Sequence, residues 1–360
     1  MAQDPPYRCS HIRTTHGTID TPALIPVVAA SYGIWDRWME GAHPAPWDVS
    51  QAVLLSLYHI LPYAHRDEVF SKGIHATLGT SRPVWIDSGG FQYMKKGVEL
   101  DPLEVLSYQH KSGCDIGVTF DYPLTPALAQ DERERRLDRS VSAANEMLAH
   151  NTDMALYGAV HGSTPEEITA YTTRLDTGFD GFGIGSLVPR KNSHEHLTSI
   201  IHAVRSQTDD PLHAFGITGF PALFALSYLG VDTFDSWTYV VAAAYKEYVH
   251  PLTLSRQKNL RSLHALPACE CPICAEHGLA DFLQPTSESE MLLAMHNLYV
   301  FLDEMANIRE AASHGELEAY ILSRGEQNAR ILRAFKIAKK TSSLPATRPL
   351  LRGDRHRAGR

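Results

Sequence analysis

The sequence predicts a closed parallel (β/α)8 barrel followed by an appended module that binds a structural metal ion. Eight short apolar segments rich in β-branched or aromatic residues are each bounded by Gly, Pro, Asp or Ser, as buried strands are. Segments with helical spacing lie between most of them, and this alternation of strand and helix is typical of the barrel. The competing fold, an open doubly wound sheet, is disfavoured because no G-x-G-x-x-G turn follows the first strand.

The predicted barrel elements follow in chain order. The strands cover residues 21–28, 51–57, 83–87, 115–121, 155–161, 181–186, 212–217 and 233–238. The helices cover residues 101–112, 131–150, 165–177, 193–206 and 220–229. The segment 34–47 contains three Trp and two Pro, which predicts an irregular insertion near the mouth of the barrel.

The pattern changes after the eighth strand. Three Cys lie within six residues, and the next apolar stripe predicts a long helix over 287–312 that packs in the ordinary way. Ser, Pro, Arg and Gly dominate beyond residue 341, which predicts a disordered basic tail. We therefore expect a catalytic barrel over 1–250, a zinc-binding module with helices that close the barrel over 251–340, and the tail over 341–360.

Composition excludes several classes of protein. With 360 residues, of which 44% are hydrophobic and 21% charged, the chain can bury a large core and is not a disordered protein. Taken alone, the net charge of −8 disfavours an obvious nucleic-acid-binding protein, because such proteins usually present a basic surface. However, the stretch 333–360 holds nine Lys or Arg and a single acidic residue, so the overall charge hides a basic end.

The cysteines and the apolar segments bear on location. The chain has five Cys and no apolar run of signal-peptide or transmembrane length. Three of the five Cys are grouped, which is typical of metal ligands rather than of disulfides. We therefore expect a cytoplasmic protein in a reducing compartment, with no membrane partner.

Polar residues recur where the predicted strands end. Asp87, Asp121 and Asp235 belong to the ends of strands three, four and eight, and His161 ends strand five. In this kind of barrel the strand ends meet at one mouth, where the active site lies. Three carboxylates at one mouth repel one another, which can raise the pKa of at least one and equip it for proton transfer. Alternatively, each Asp caps the following helix, a role in which Asp is favoured.

Two carboxylates on opposite sides of a sugar carbon are the minimum machinery for displacement at an anomeric centre. One attacks the carbon to give a covalent intermediate, and the other moves a proton to or from the leaving or entering group. Gly89 and Gly90 allow the backbone to approach a flat ligand, and Phe91 offers a stacking face. The residues by themselves therefore indicate a carboxylate mouth suited to glycosyl chemistry.

The grouped cysteines are a second chemical signal. Cys269, Cys271 and Cys274 offer three thiolates for a tetrahedral Cys3His site, and His277 and His296 compete for the fourth position. Four protein ligands leave no position for a reactive water. We therefore expect Zn2+ in a structural rather than a catalytic role.

Four motifs, in this order, resemble the tRNA-guanine transglycosylases. They are D-S-G-G-F-Q from Asp87, F-D-S around Asp235, C-x-C-x2-C from Cys269 and H-N-L from His296. The resemblance covers residues from about 18 to 338, and segments such as F-G-I-T-G-F-P and G-V-D-T-F-D-S are closer to the archaeal type than to the bacterial queuine type. It implies a (β/α)8 barrel with a zinc module, usually as a homodimer.

The resemblance also implies a role for each site residue. Asp235 would be the nucleophile that displaces guanine from ribose, and Asp87 would be the general acid and base for the base nitrogen. His296, rather than His277, would join the three cysteines around Zn2+. The base-binding residues that the resemblance implies are Ser88, Gly89, Gly90, Phe91, Asp121, His161, Gly185, Ser186, Leu187, Phe215 and Gly216.

Three departures from the family pattern bear on the substrate. His161 stands where the family has Gln, the segment 28–84 is unusually rich in Trp, and the resemblance covers no RNA-reading module of the kind found in archaeal tRNA enzymes. These departures slightly favour a sister branch, the DNA-guanine transglycosylases that insert 7-deazaguanines such as preQ0 into DNA. With either nucleic acid the base must leave its stack, and Phe91 and Phe215 would receive it.

Three other functions stay open on the sequence. A tRNA-guanine transglycosylase of the archaeosine or queuosine type would use the same residues on tRNA. A non-catalytic partner subunit would keep the barrel and zinc but lack the nucleophile, and the retention of Asp87 and Asp235 argues against it. A glycoside hydrolase with the same carboxylate pair would not explain the base-pocket pattern.

Overall fold

Eight parallel strands form a barrel in the computed structural model, which describes residues 6–29, 34–40, 43–64, 66–263 and 265–345. The strands are β3 (Ala23–Pro26), β4 (Val53–Ser56), β5 (Val84–Asp87), β6 (Ile116–Val118), β7 (Ala155–Val160), β8 (Gly181–Ile184), β9 (Leu212–Ala214) and β10 (Thr233–Ser236). They are hydrogen-bonded in the order β3-β10-β9-β8-β7-β6-β5-β4. A parallel bridge between Val27 and Leu54 joins β3 to β4. The predicted barrel and its eight strands are therefore confirmed.

Four further strands lie outside the barrel. The hairpin of β1 (Ser10–Thr14) and β2 (Gly17–Thr21) precedes it, and the pair β11 (Tyr248–Val249) and β12 (Arg256–Gln257) follows it. Sequence patterning did not identify either pair, because β1 and β2 each contain a single apolar residue, Ile12 or Ile19, and β11 and β12 have two residues each.

Helices surround the barrel and follow its strands. They are α1 (Ile34–Met39), α2 (Pro46–Val49), α3 (Leu57–Ile60), α4 (Arg66–Lys72), α5 (Ile74–Leu78), α6 (Gly90–Lys96), α7 (Pro102–Ser112), α8 (Gln130–His150), α9 (Pro165–Thr172), α10 (His194–Arg205), α11 (Phe220–Tyr228), α12 (Thr238–Ala244), α13 (Pro272–Glu276), α14 (Leu279–Phe282), α15 (Ser287–Ser313), α16 (Leu317–Gln327) and α17 (Ala329–Ser342). None of the helices in the described part of the chain is long and apolar enough to cross a membrane.

The Trp-rich segment is more regular than predicted. It contains the short helices α1 and α2, and Trp35, Trp38 and Trp47 are all buried. Helices of four to six residues carry too few turns to show a helical period, so only burial of the three indoles reveals that this segment belongs to the core.

The long helix α15 joins the second part of the chain to the barrel. It packs against α12 and β3, and the ring of Phe301 on α15 stacks on Phe220 at a centroid distance of 4.4 Å. Helices α16 and α17 then cover α11, and α17 also contacts α10. The predicted helix over 287–312 is thus present, while most of the predicted disordered tail, residues 346–360, lies outside the described residues.

Candidate active site

A pocket of about 310 Å³ opens at the carboxyl ends of the barrel strands. A pocket of this size accommodates a nucleobase and part of its sugar. The predicted site residues that line it are Asp87, Phe91, Asp121, Gly185, Ser186, Phe215, Gly216 and Asp235. Strand ends far apart in sequence therefore meet at one mouth, as the barrel architecture requires.

The carboxylate of Asp87 sits at the end of β5, where the chain turns into α6. Its Oδ2 accepts a hydrogen bond from the Gly89 N–H at 3.1 Å. Burial raises the pKa of Asp87 to about 7, with the charges of Asp121 and Asp235 adding to the rise, while hydrogen bonds from Gly89 and Ser56 oppose it. A group that titrates near neutrality can both donate and accept a proton, as a general acid and base must.

The elevated pKa of Asp87 predicts that Asp87→Asn stabilises the fold at high pH while abolishing activity. The folded protein binds the Asp87 proton more tightly than the unfolded chain does, because the pKa is about 7 rather than the ordinary 3.8. The resulting loss of folding stability is absent below pH 3.8, grows as the pH rises and is complete above about pH 7. At about 1.4 kcal/mol per pH unit it is at most ~4 kcal/mol, and solvent in the pocket reduces it, so we expect a gain of about 2 kcal/mol.

Urea unfolding of the wild type and Asp87→Asn at pH 8 and at pH 4 would measure this gain. The difference in the free energy of unfolding should be present at pH 8 and nearly vanish at pH 4. An equal difference at both pH values would contradict the titration of Asp87 as its cause.

Asp235 lies across the pocket, in β10. Its Oδ1 accepts a hydrogen bond from the Gly216 N–H at 2.5 Å. Within the described residues no hydrogen bond reaches Oδ2, and the side chain is 14% exposed through the pocket. One oxygen is thus held by the backbone and the other is left to attack, which is the arrangement a carboxylate nucleophile needs.

Asp121 completes the carboxylate cluster, and a glycine makes room for it. The Ser88 hydroxyl lies 3.4 Å from Asp121 Oδ1 and donates towards it. A Cβ atom at Gly90 would collide with the Asp121 carboxylate and its backbone carbonyl. The two glycines predicted to let a ligand approach therefore have a structural task as well: Gly90 accommodates Asp121, and Gly89 adopts a positive φ of 80° in the turn.

His161 lies behind the pocket wall rather than in it. Its side chain is wholly buried, with Nδ1 at 2.9 Å from Ser186 Oγ and Nε2 at 2.9 Å from Asp121 Oδ2. A Cβ atom at Gly185 would collide with the imidazole ring, so Gly185 is needed for the ring to lie there. The prediction that His161 contacts the base stays a prediction, and its partners in the structure are two other predicted site residues.

The structure adds lining residues that sequence reasoning missed. Leu187, which was predicted to bind the base, is buried, whereas the next two residues, Val188 and Pro189, line the pocket. Trp237 and His59 also line it. Trp237 follows Asp235 by two residues at a strand end, and that position was the available signal for it.

His213 is another residue near the site that sequence reasoning missed. It is the middle residue of β9, wholly buried, with Nε2 at 3.4 Å from Asp235 Oδ1. A polar residue at the centre of an apolar strand was the available clue, because alternate residues of a barrel strand face the interior.

The grouped cysteines and His296 form the predicted cluster. His296 Nδ1 lies 3.7, 3.5 and 3.2 Å from the Sγ atoms of Cys269, Cys271 and Cys274. A tetrahedral zinc ion with ordinary bond lengths separates sulfur and nitrogen ligands by about 3.6 Å. His277 lies outside this group and contacts Asp281 instead, at 3.9 Å.

The surroundings of His296 also fit a metal ligand. Its Nε2–H donates to the Val249 carbonyl at 2.9 Å, which turns the Nδ1 lone pair towards the three thiols. The ring of Tyr248 stacks on the imidazole at 3.8 Å. The four side chains can therefore hold a metal ion, and their donor set is the one typical of structural zinc.

A second group of possible ligands lies at the opposite end of the barrel. His16 Nδ1 and His75 Nε2 each lie 2.9 Å from an oxygen of Asp115, which also accepts from the Val84 N–H. Although burial opposes it, these hydrogen bonds hold the pKa of Asp115 well below its ordinary value. The two rings stack at 3.6 Å and 17°, and each hydrogen-bonds to the buried Asp115 carboxylate. In the structure this group is a hydrogen-bonded cluster that satisfies Asp115.

Comparison with known proteins adds an independent finding. The model of the family described as queuine tRNA-ribosyltransferase matches residues 4–330. The chain is 29% identical over 349 residues to a tRNA-guanine(15) transglycosylase of Thermococcus kodakarensis, a match covering 93% of this chain and 58% of the relative. It is 32% identical over 351 residues to the protein of that name from Archaeoglobus fulgidus, covering 94% and 70%. For Methanocaldococcus jannaschii the identity is 28% over 346 residues, covering 89% and 50%. The chain thus spans between half and about two thirds of these relatives.

Proposed function

Because the chain belongs to the queuine tRNA-ribosyltransferase family, we propose that it is a pentosyltransferase that exchanges a guanine base in tRNA for a 7-deazaguanine such as preQ0. The observation that carries the proposal is that Asp87 and Asp235 face one pocket of about 310 Å³. Asp87 titrates near neutrality, and Asp235 has one oxygen tied to the backbone. This pair matches the acid–base group and the nucleophile that base exchange needs.

In the first half of the reaction the base leaves. Asp235 Oδ2 bonds to C1′ of the ribose as the bond from C1′ to the guanine N9 breaks. Asp87 in its protonated form gives its proton to the departing base. The product is a covalent ester between Asp235 and the nucleic acid, with Asp87 now ionised.

The second half reverses these steps with another base. The incoming base loses its N9 proton to Asp87, N9 bonds to C1′, and the bond between C1′ and Asp235 Oδ2 breaks. Both carboxyl groups return to their starting states, so no external acid, base or oxidant is consumed. One titrating group near neutrality serves both halves, which explains the use of a buried carboxyl with a pKa of about 7.

Recognition of the base falls to Asp121 and the aromatic residues. An ionised carboxylate accepts hydrogen bonds only, and guanine presents two donors, N1–H and the amino group, along one edge. Phe91 and Phe215 line the same pocket and offer faces for the flat ring. Extraction of a base from its stack costs a few kcal/mol, and such contacts offset that cost.

The polymer that carries the base is the finer part of the proposal. The relatives are named for action on tRNA, and this favours tRNA over DNA. The sequence-based preference for DNA stays a prediction. The homodimer also stays a prediction, and we propose zinc as the ion in the Cys3His cluster on the basis of its donor set.

Exchange of labelled guanine by the purified, zinc-loaded chain tests the proposal. Total tRNA and duplex DNA are offered separately, and we expect label in tRNA alone. Label in DNA alone would overturn the choice of polymer but keep the chemistry. No exchange with either would overturn the transglycosylase proposal and favour a partner subunit, and release of reducing sugar without exchange would favour a glycoside hydrolase.

A further inference from the structure

Two buried histidines occupy matching places beside two of the three site carboxylates. The side chains of His161 and His213 are both wholly buried. Nδ1 of each ring lies 2.9 Å from a hydroxyl, that of Ser186 for His161 and that of Thr233 for His213. The two sites lie on different strands, so the repeated arrangement does not arise from one local sequence pattern.

The other nitrogen of each ring faces a carboxylate. Nε2 of His161 lies 2.9 Å from Asp121 Oδ2, and Nε2 of His213 lies 3.4 Å from Asp235 Oδ1. Neither Nε2 makes an aligned hydrogen bond within the described part of the chain. Each carboxylate is therefore close to a nitrogen whose hydrogen-bonding capacity is still unused.

The hydrogen bonds around Ser186 indicate which nitrogen of His161 carries the proton. The Leu124 N–H donates to Ser186 Oγ at 2.8 Å, so the hydroxyl proton is available for His161 Nδ1. An imidazole that accepts at Nδ1 carries its proton at Nε2. The proton then faces Oδ2 of Asp121, where an N–H donor and a carboxylate acceptor attract each other. For His213 we infer the same order of hydroxyl, ring and carboxylate, with the proton on the side of Asp235.

A buried donor without a partner is unfavourable, and it is tolerated where another state of the site supplies the partner. In the proposed base exchange both carboxylates take a new partner. Asp121 must turn to the edge of the base, and Asp235 must bond to C1′ and later release it. A small rotation of either carboxylate would align it with the waiting N–H.

We propose that His161 and His213 are positioning residues, which present their Nε2–H groups to Asp121 and Asp235 so that both carboxylates act as acceptors while Asp87 carries the exchangeable proton. This inference rests on the proposed function, since it concerns how three neighbouring carboxyl groups divide the steps of base exchange. The pocket also contains His59, which lies against its wall and is not part of either arrangement.

The role of His213 belongs to the covalent steps. When the bond between C1′ and Asp235 breaks, negative charge returns to that carboxylate. Oδ1 then has two N–H groups near it, that of Gly216 and that of His213. Donors fixed where charge develops stabilise the transition state, because they need no reorganisation during the reaction.

The role of His161 belongs to base selection. With an N–H beside Oδ2, Asp121 stays an acceptor and requires a base edge with two donors, as guanine and 7-deazaguanines have. Adenine presents an unprotonated N1 at the same place. This nitrogen is an acceptor, so it would face the acceptor oxygen of Asp121 without a hydrogen bond. Loss of the N–H should therefore raise the KM for the base and weaken discrimination against adenine.

Replacement of each histidine by Gln and by Asn distinguishes the role of its Nε2–H from a role in packing. The amide nitrogen of Gln reaches the place of Nε2 and restores the donor, whereas Asn reaches only the place of Nδ1 and keeps contact with the hydroxyl. His213→Gln with His213→Asn, and His161→Gln with His161→Asn, are thus matched polar pairs. The resemblance implies Gln at position 161 in the family, so the first member of that pair suits the fold.

We expect the two pairs to differ in which kinetic constant changes. His213→Asn should lower the rate at which added guanine releases a preformed covalent adduct with labelled tRNA by about tenfold or more, with KM little changed, and His213→Gln should stay within about threefold of the wild type. His161→Asn should raise the KM for guanine by about tenfold, and His161→Gln should recover it.

Equal losses in the Gln and Asn variants would overturn the proposal, because a packing role does not distinguish the reach of an amide. If His213→Asn does not fold, Thr233→Val supplies the test, since it keeps the ring and removes only the hydroxyl that orients it. A slower release of the adduct by added guanine then supports the proposal, and the wild-type rate contradicts it. A wild-type chain without any exchange would refute the proposed function instead.

Discussion

Asp235→Asn is expected to abolish both base exchange and the covalent adduct, with a loss in rate of about 10³ or more. An amide is neutral and a poor nucleophile, so the first bond to C1′ cannot form. The substitution is nearly isosteric, and the Asn oxygen can still accept the Gly216 N–H that holds Oδ1 in the wild type. Exchange of labelled guanine and a denaturing gel with labelled tRNA measure the two losses separately.

Two controls make this result specific. Asp138→Asn removes a carboxylate of the same type from the outer surface, where it pairs with Arg174 and is 64% exposed, and should leave exchange unchanged. The melting temperature of Asp235→Asn should be close to that of the wild type. Undiminished exchange by this variant would show that Asp235 is not the nucleophile and would remove the central step of the proposed reaction.

Loss of the metal ion should have the largest effect on stability. Structural zinc contributes about 10–16 kcal/mol in small zinc domains, which is as much as the whole stability of many proteins. His296→Ala should therefore lower the zinc content and unfold the region that contains the cluster, because the three thiols then lack their nitrogen ligand. Zinc analysis and thermal unfolding measure both effects, and a chelator should reproduce them in the wild type.

His277→Ala is the matched control for this prediction. His277 lies near the same cysteines in sequence but outside the cluster in space. We expect one zinc per chain and an unchanged melting temperature in this variant. Retention of zinc by His296→Ala together with its loss in His277→Ala would reverse the assignment of the fourth ligand.

Sequence reasoning was most successful where a periodic or architectural rule applied. The barrel strands were predictable because each is a short apolar segment between turn residues, and the convergence of Asp87, Asp121 and Asp235 followed from the rule that strand ends meet at one mouth. The choice of His296 over His277 came from the resemblance to a family. The residues alone left it open, since both histidines offer the same nitrogen donor.

The remaining features depend on contacts that no spacing rule describes. The position of His161 depends on Gly185, which has no side chain to collide with the imidazole ring. The proton on its ring depends on Leu124, whose N–H donates to Ser186. The sequence clue at His213 is ambiguous, because a buried His in a strand is also compatible with simple packing. The pKa of Asp87 depends on burial and on two charges brought close by the fold, so it is a property of the closed barrel rather than of its local sequence.

The hydrogen-bonded Asp115 at the opposite end of the barrel has a consequence for how such an enzyme can diversify. Its carboxylate is satisfied by His16, His75 and the Val84 N–H, whereas burial makes the ionised form of Asp87 at the mouth unfavourable. The carboxyl ends of the barrel strands thus carry the functional groups, and the opposite ends carry contacts that stabilise the fold. Mutations at the mouth can remove the free-energy cost of its buried carboxyl group, while the other end maintains the architecture. The barrel is therefore free to acquire new specificities.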